Sequence, residues 1–269
     1  MDIVLSYMFS LVILFSVFVN PSYSINFNFF NASETGNQDQ WQTATATWYG
    51  PPNGAGSDGG NCGYGDSVEN PPLSKMISAG GPSLFQGGSG CGACYEVKCT
   101  ENDACSRNPV LVVITDNCPG CPESVHFDLS GTAFGSMANP GKADQLRNVG
   151  QLNNLQYRRV PCNFGKSIAF TIDDGASPYY FATEIEYENG DGNIVEIELK
   201  QGIESSTWIP MFRSWGAKWA LNPGFMLNPP FSLKLTEAGK GDTKKTIVAE
   251  NVISINWKPG QVYRSFVNF

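Results

Sequence analysis

Residues 181–200 read FATEIEYENGDGNIVEIELK, and this stretch decides the fold class of the second half of the chain. On one side of the turn NGDG (189–192), Phe181, Thr183, Ile185 and Tyr187 alternate with Ala182 and three glutamates. On the other side, Val195, Ile197 and Leu199 alternate with charged residues. Because strand side chains alternate between two faces, the pattern predicts half-buried strands with the glutamates outside and the apolar residues inside.

The same period of two recurs before and after this stretch. Ile168, Phe170 and Ile172 alternate with smaller or polar residues, and so do Phe231, Leu233 and Leu235. No helical period competes, and no long internal repeat is visible. Several half-buried strands within about a hundred residues predict a β-sandwich over 167–269.

The first half of the chain lacks this regular alternation. From residue 41 to 166 the chain reads as short strands broken by Gly and Pro, with strand candidates at 95–98, 110–114 and 155–160. The run 110–114 is continuously apolar, as in a strand buried on both faces, and Ser130 is placed to cap a short helix. The Gly-rich segment 51–65 is long enough to predict a functional loop.

The N-terminus predicts secretion. Residues 3–19 are almost entirely apolar, and Ser22 and Ser24 supply the small residues of a cleavage site, so we expect a signal peptide over 1–24 and a tail over 25–40. The alternative is a membrane anchor, which the short apolar stretch and the missing basic flank disfavour. In the tail, Asn31-Ala32-Ser33 is a glycosylation sequon.

Composition narrows the function further. With 17 basic against 25 acidic residues the net charge is -8, and loss of the leader with its Asp2 leaves 17 against 24, a net of -7. So acidic a chain lacks the electrostatic footprint of a nucleic-acid binder. No internal apolar run reaches the ~18 residues of a membrane span. We expect no cofactor and no transmembrane segment in the mature protein.

The eight cysteines support the division into two domains, because none lies after Cys162. Two Cys-x-x-Cys pairs, Cys91/Cys94 and Cys118/Cys121, allow a zinc site, but a secreted chain favours disulfides, and we predict no metal. The spacing leaves the pairing open. The cysteines are Cys62, Cys91, Cys94, Cys99, Cys105, Cys118, Cys121 and Cys162.

His126-Phe127-Asp128 is the first group of residues that could do chemistry. In a strand His126 and Asp128 share a face, and Asp116 ends the apolar strand twelve residues earlier. Two carboxyls can hydrolyse a glycosidic bond when one protonates the leaving oxygen and the other activates water or attacks carbon. The alternative is that these side chains only satisfy buried backbone groups.

Aromatic residues form the second group. Thr47, Trp48 and Tyr49 precede the Gly-rich loop, which contains Asp58, and aromatic planes beside such a loop suit the apolar faces of sugars. In the second half, Ser214-Trp215-Gly216 is typical of a turn, where Trp215 would be exposed. For Trp48, Tyr49 and Trp215 alike, the alternative is an ordinary position in the core.

Four motifs in order give the chain a family resemblance: Thr47-Trp48-Tyr49-Gly50, residues 90–95 (GCGACY), residues 126–131 (HFDLSG) and residues 214–217 (SWGA). Together they resemble the β-expansins, the plant group that includes grass-pollen group-1 allergens. The resemblance implies an all-β protein: a six-stranded double-psi β-barrel, similar to that of family-45 endoglucanases, followed by an immunoglobulin-like β-sandwich that binds polysaccharide. It implies non-lytic loosening of cell walls, by disruption of contacts between cellulose and matrix glycans.

The resemblance also implies roles for individual residues. Asp128 matches the general acid of the endoglucanases, whose catalytic base expansins are thought to lack. The resemblance implies a groove on the barrel that is lined by Thr47, Tyr49, Asp58, Asp116, His126 and Asp128. It also implies an aromatic platform on the sandwich that is formed by Tyr180 and Trp215. The implied disulfides are Cys62–Cys91, Cys94–Cys162 and Cys99–Cys105. Cys118 and Cys121 depart from the grass-pollen pattern; we expect a local bridge between them, with free thiols as the alternative.

Three functions remain for comparison: a non-enzymatic expansin, an enzyme that cleaves glycans with Asp128 and a second carboxylate (Asp58 or Asp116), and a purely carbohydrate-binding or defence protein. The sequence favours the first, acting as a secreted monomer in the plant cell wall. Its expected partners are cellulose, xylan or other matrix glycans. The acidic charge weakens any electrostatic binding to pectin.

Overall fold

The computed structural model describes residues 40–57, 60–121, 123–238 and 243–269, all within one compact unit. The predicted signal peptide, the tail up to residue 39, the sequon at Asn31 and the loop residue Asp58 lie outside the described residues. None of the helices in the described part is long and apolar enough to cross a membrane.

The first half forms a closed six-stranded barrel. Its strands are β1 (Gln42–Tyr49), β2 (Ile77–Gly80), β3 (Cys94–Lys98), β4 (Val110–Asn117), β5 (His126–Ser130) and β6 (Leu152–Arg159). They close in the order β1-β5-β2-β4-β3-β6, and the pairs β1/β5 and β2/β4 are parallel while the others are antiparallel. The predicted double-psi barrel is confirmed.

The barrel core is built from alternate residues of these strands. Val112, Ile114 and Phe127 are fully buried, and Phe127 packs edge-on against Tyr95 with ring centroids 5.4 Å apart. The prediction that 110–114 is buried on both faces is correct for 112–114 and wrong for Leu111, which is exposed.

Short helices connect the barrel strands: α1 (Pro82–Phe85), α2 (Gly131–Ser136) and α3 (Ala143–Arg147), with 3-10 turns at Gly60–Cys62, Gly65–Glu69 and Gln86–Gly88. The predicted cap of α2 is confirmed, because the Ser130 hydroxyl accepts a hydrogen bond of 2.9 Å from the backbone N–H of Ala133.

The second half is a sandwich of two sheets. Its strands are β7 (Ala169–Ile172), β8 (Phe181–Glu186), β9 (Ile194–Gln201), β10 (Trp208–Pro210), β11 (Phe212–Trp215), β12 (Lys218–Leu221), β13 (Phe231–Ala238), β14 (Lys244–Ile253) and β15 (Val262–Arg264). One sheet has the order β10-β9-β13-β14 and the other β11-β12-β8-β7-β15. The apolar residues predicted to face inward on β13, together with Ile168, Phe170 and Ile172, are buried.

The strand that opened the sequence argument departs from its predicted pattern. Glu184, Glu186 and Glu188 were expected to face water, and all three are buried, because the barrel covers the outer face of β8. On β9, Val195 is exposed and Ile194 is buried instead, because the pairing with β13 shifts register at this end of the strand.

Four disulfides staple the barrel: Cys62–Cys91, Cys94–Cys162, Cys99–Cys105 and Cys118–Cys121. The three pairs implied by the family and the local bridge are therefore all present, and no cysteine among the described residues is free. The first two bridges lie in an apolar cluster that also contains Ala169, Tyr187 and Ala217 of the second half.

Candidate functional site

A polar row, called the barrel row below, runs along one face of the parallel strands β1 and β5 and consists of Thr45, Thr47, His126 and Asp128. The register pairs Thr45 with His126 and Thr47 with Asp128, so these four side chains lie on one face of the sheet. The intervening residues of β1, Ala44, Ala46 and Trp48, pack on the core side. Strand periodicity therefore explains why the polar residues are collected on one surface.

The row is joined by hydrogen bonds. Thr47 donates its hydroxyl to Oδ1 of Asp128 at 2.6 Å, and its oxygen lies 2.9 Å from Nε2 of His126. Since the hydroxyl proton of Thr47 points to Asp128, the Thr47 oxygen accepts from Nε2–H of His126. At the other ring nitrogen, Nδ1 lies 2.6 Å from the Thr45 hydroxyl and 3.3 Å from Oε2 of Glu123. A buried imidazole thus links two carboxylates, Glu123 and Asp128.

Asp116 reaches the same level of the barrel from the other side. Ala79 on β2 pairs with Asp116 on β4 and with Asp128 on β5. Two strand spacings therefore separate the backbones of the two aspartates, about 10 Å, with the small Ala79 between them.

The carboxylate of Asp116, however, is already engaged. Its Oδ1 accepts the backbone N–H groups of Asn61 at 2.6 Å and of Asn117 at 2.7 Å, and its Oδ2 accepts the Ser57 hydroxyl at 3.1 Å. Gly60 packs against it so closely that an added Cβ would lie 2.5 Å from the carboxyl carbon. Asp116 therefore anchors the Gly-rich loop.

Tyr49 lies beneath the same loop. Its ring touches Gly56, where an added Cβ would come within 2.4 Å of the ring carbons. Burial raises the pKa of the Tyr49 phenol, and the negative charges of Asp116 and Asp128 raise it further. Tyr49 thus stays neutral, within reach of the charges of both aspartates.

Trp48 lies apart from this row. Its indole N–H donates to the Arg147 carbonyl at 3.0 Å, and its ring packs near Phe134 with centroids 6.4 Å apart. These contacts belong to the barrel core, the alternative considered for Trp48 in the sequence, and we leave Trp48 out of the proposed binding surface.

The sandwich carries its aromatic residues on the outer face of the five-stranded sheet. Trp215 is the last residue of β11, immediately before the turn, and is 45% exposed. The ammonium of Lys218 lies 4.8 Å from its ring centroid and is also paired with Asp173. Tyr180 lies just before β8 and is half-buried. Trp215 pairs with Lys218 on β12, and Lys218 pairs with Glu184 on β8. Because Tyr180 lies four residues before Glu184, the register puts Tyr180 and Trp215 on the same face of the sheet.

Trp215 also touches the barrel. A Cβ on Gly63 would lie 2.8 Å from the Trp215 ring and 2.9 Å from a carboxyl oxygen of Glu184. The Gly63 segment directly follows the residues that Asp116 anchors. The exposed face of the sandwich therefore continues into the loop beside the barrel row.

The three buried glutamates of the β8 segment (Glu184, Glu186, Glu188) form the junction between the two halves. A Cβ on Gly92 would lie 2.7 Å from a carboxyl oxygen of Glu188. Burial raises the pKa of Glu184 to about 8, with the nearby charge of Glu186 adding to the shift, and burial raises that of Glu188 to about 8. The junction thus holds carboxyls mainly in their neutral form at acidic and neutral pH.

Sequence reasoning missed Thr45 and Glu123. The alternation of Thr45, Thr47 and Tyr49 on β1 could have predicted the first, because residues two apart share a face. Glu123 lies in a loop, where no periodicity marks it. Across the described ranges, no group of three His, Cys, Asp or Glu side chains is arranged to hold a metal ion.

Comparison with known proteins adds family relationships. Residues 168–254 match the family described as expansin C-terminal domain, and residues 77–151 match the family described as lytic transglycolase. An expansin-B2 of Arabidopsis thaliana is 57% identical over 89% of this chain and 86% of its own length. Expansin-B11 of Oryza sativa subsp. japonica is 54% identical over 85% of this chain and 78% of its own length.

Solved structures agree on the fold. The expansin of Clavibacter michiganensis superposes with a TM-score of 0.64 at 21% identity, over 85% of this chain and 98% of that one. A variant of the same protein, solved in complex with cellohexaose, superposes with a TM-score of 0.63 and the same identity and coverage.

Proposed function

The chain belongs to the plant β-expansins, and from this premise we propose that it is a secreted protein that loosens cell walls without cutting their polysaccharides. Its partners are cellulose and the matrix glycans of the wall. It acts by disrupting the non-covalent contacts between them, and it needs no cofactor.

The observation that carries the non-lytic function is the state of the second carboxylate. Hydrolysis requires two carboxyls, one to protonate the leaving oxygen and one to activate water or attack carbon. Asp128 accepts one hydrogen bond, from Thr47, and can still contact a glycan hydroxyl. Asp116 uses both carboxyl oxygens to hold the Gly-rich loop. We therefore assign Asp128 to glycan contact and Asp116 to loop anchoring.

Polysaccharide binding is assigned to two neighbouring surfaces. The barrel supplies hydrogen-bonding groups from Thr47 and Asp128, which the buried His126 holds in place through Thr47, while Tyr180 and Trp215 supply flat apolar rings that suit sugar faces. Gly63 contacts Trp215, and its segment follows Asn61, which Asp116 of the barrel anchors. A long chain bound on the rings is thereby brought to the barrel row.

Two assays on the same protein test the function. We expect it to increase the extension of isolated, heat-inactivated plant walls under constant load, and to release no reducing ends from glucans or xylans. Release of reducing ends in step with extension would instead support the glycan-cleaving alternative. Asp128→Asn serves as the matched variant for the barrel row, because the amide keeps the size of the side chain and removes its charge.

Binding is tested separately with Trp215→Ala. Loss of a stacked ring costs roughly 1–3 kcal/mol for bases on aromatic residues, and on that scale cellulose binding should weaken roughly fivefold or more. Because Trp215 is 45% exposed at a turn and its ring touches the barrel only along one edge, at Gly63, the melting temperature should fall only modestly. A large fall in melting temperature would contradict the platform and place Trp215 among the structural residues.

A further inference from the structure

We propose that Glu123 is a positioning residue of the barrel row: it keeps His126 as a doubly protonated imidazolium, which in turn holds Asp128 as a carboxylate. The inference deepens the proposed function and, where it concerns wall loosening, rests on it. Glu123 lies in the loop between β4 and β5, three residues before His126.

The charge on His126 follows from the protons that its neighbours have to give. A threonine hydroxyl has one proton, and an ionised carboxylate can only accept. Thr47 donates its proton to Oδ1 of Asp128 at 2.6 Å, and Thr45 donates its proton to Oε2 of Glu123 at 2.9 Å. The same hydroxyl oxygens lie close to the imidazole, that of Thr45 2.6 Å from Nδ1 and that of Thr47 2.9 Å from Nε2. Both ring nitrogens must therefore donate, and an imidazole that donates from both nitrogens is positively charged.

Burial makes this charge depend on its neighbours. The His126 side chain is only 2% exposed, and a buried charge is kept only when it is paired and hydrogen-bonded. Oε2 of Glu123 lies 3.3 Å from Nδ1, so Glu123 is the carboxylate in direct reach of the ring. Asp128 lies on the other side of the ring. The remaining ionisable groups near Asp128 are Tyr49 and Asp116, and neither brings a positive charge.

Glu123 is held against the ring although its own side chain is 44% exposed. The Cys118–Cys121 bridge closes the loop two residues before Glu123. Directly after it, the carbonyl of Ser124 accepts the backbone N–H of Ser83 at 3.0 Å. The loop is thus fixed on both sides of Glu123, and its carboxylate faces a ring that has no access to water.

A charged His126 bears on what Asp128 can do. Because Nε2–H occupies the Thr47 oxygen, the Thr47 proton is directed to Asp128, and the nearby positive charge favours the ionised carboxyl. An ionised Asp128 accepts protons from glycan hydroxyls but has none to give to the leaving oxygen of a glycosidic bond. The Glu123–His126–Asp128 triad therefore gives a second reason, separate from the engagement of Asp116, why the barrel holds glycans without cutting them.

The first test reads the protonation of His126 directly. Because His126 is the only histidine of the chain, nitrogen NMR of the untagged protein with isotopically labelled histidine needs no assignment. An imidazolium gives two similar nitrogen shifts, whereas a neutral ring gives two widely separated ones. We expect the imidazolium pattern at about pH 6.5, where an ordinary histidine is half protonated.

Glu123→Gln is the variant for this measurement, since the amide keeps an acceptor for Thr45 and loses the charge. The ratio of protonated to neutral His126 should fall about fivefold, the effect of a partly exposed ion pair. Glu204→Gln, the loss of an exposed carboxylate on the sandwich, is the matched control and should leave the nitrogen pattern unchanged.

The second test is wall extension by the same proteins as a function of pH. Extension should fall as His126 loses its proton, and in Glu123→Gln the fall should come about 0.7 pH unit lower, which corresponds to the fivefold change in ratio. Glu123→Asp keeps the charge on a shorter side chain and should recover part of this displacement. Cellulose binding by the sandwich should be the same in all of these proteins.

The outcomes separate the inference from the proposed function. A neutral ring in the parent at about pH 6.5 would overturn the inference, and so would a Glu123→Gln protein whose extension is reduced equally at every pH, the mark of a structural role. Should Glu123→Gln melt lower than the parent, Thr45→Val decides, because it removes the acceptor at Nδ1 and leaves Glu123 in place; an unchanged nitrogen pattern there overturns the inference. If the parent does not extend walls, the proposed function is wrong, and the nitrogen pattern alone confirms or overturns the charged triad.

Discussion

At the scale of single residues, the barrel row separates two aspartates that look alike in the sequence. Both end up at the same level of the barrel, on either side of Ala79. One accepts from two donors of the Gly-rich loop and from the backbone of Asn117, and the other holds a threonine hydroxyl and points to the groove. Their neighbours, rather than their spacing, decide which of them can contact a substrate.

For Asp128, we expect Asp128→Asn to fold normally, because Thr47 can donate to an amide oxygen as it does to the carboxylate. Extension of walls should be strongly reduced, since the charge that would contact the glycan is gone, while cellulose binding by the sandwich should persist. Wall extension, cellulose pull-down and thermal melting measure the three effects. Extension equal to that of the parent would reduce Asp128 to a structural residue.

For Asp116, the expected loss is in stability. Asp116→Ala leaves the N–H groups of Asn61 and Asn117 and the Ser57 hydroxyl without their acceptor. Hydrogen bonds to a charged group contribute roughly 1.5–3 kcal/mol each. Water replaces part of what is lost, so the free energy of unfolding should fall by at least about 2 kcal/mol. Denaturant unfolding and proteolysis of the loop test this. Glu204→Ala, at an exposed position, is the control, and an equal small effect in both variants would contradict the anchoring role.

At the scale of elements, the buried glutamates of the β8 segment give the molecule a pH-dependent stability. The pKa values of Glu184 and Glu188 are about 8 in the folded protein, above the usual value of 4.5 for a glutamate. Other ionisable groups facing these carboxyls are Glu186, Tyr64, Asp173, Lys218, Arg213 and Glu237.

The sign of the effect follows from proton binding. Between pH 4.5 and 8 the folded chain holds protons on these glutamates that the unfolded chain has released, so the stability that these two groups contribute is fully present below about pH 4.5 and is lost as the pH rises to about 8. Each of the two glutamates changes the free energy of unfolding by at most about 1.4 kcal/mol per pH unit. Melting temperature against pH should decline over this window and flatten in Glu184→Gln and Glu188→Gln. An unchanged slope in both glutamine variants, matching that of Glu204→Gln, would contradict this account.

The disulfides should differ in their resistance to reduction. Cys118 and Cys121 are half-buried, whereas the other six cysteines are buried. Because thiol–disulfide exchange needs access to a sulfur, limited reductant followed by alkylation and mass spectrometry should label Cys118 and Cys121 first. Simultaneous labelling of all eight cysteines would mean that reduction requires global unfolding.

Periodicity along the sequence predicted the strands well and their outer surroundings poorly. The inward faces of β13 and of the β7 segment follow from local alternation, and both are as expected. The glutamates of β8 follow the same alternation, yet they are buried because the barrel, distant in the sequence, covers them. Likewise Glu123 joins the barrel row from a loop without any pattern. Local pattern fixes which residues share a face, but only the tertiary fold fixes what that face meets.

At the scale of the whole molecule, the barrel and sandwich meet through glycines. Gly63 and Gly92 lie against Trp215 and the buried glutamates, and Gly216 of the sandwich approaches the backbone of Asn61 and Cys62. The N–H of Ala217 donates to the Cys62 carbonyl at 3.0 Å across the same junction. Such close approach requires that these positions carry no side chain.

Gly92→Ala tests this junction. The new Cβ would lie 2.7 Å from a Glu188 oxygen and 3.0 Å from the Tyr64 oxygen, and the φ of Gly92 is +85°. Gly165→Ala is the matched control, because Gly165 also has a positive φ, +62°, but open space around its Cβ. The control should lose about 1 kcal/mol from backbone strain. Gly92→Ala should lose clearly more and should give a larger radius of gyration in solution scattering. Equal losses in the two variants would show that strain alone matters.

The glycine contacts also limit how this molecule can change over generations. A side chain gained at Gly63, Gly92 or Gly216 would need a smaller side chain or a shifted backbone at the facing position of the other half. Two domains that did not pack against each other would be free of this constraint. Barrel and sandwich must therefore be inherited as a matched pair. A chimaera that joins this barrel to the sandwich of a distant relative will keep its junction only if the glycines and the glutamates are transplanted together.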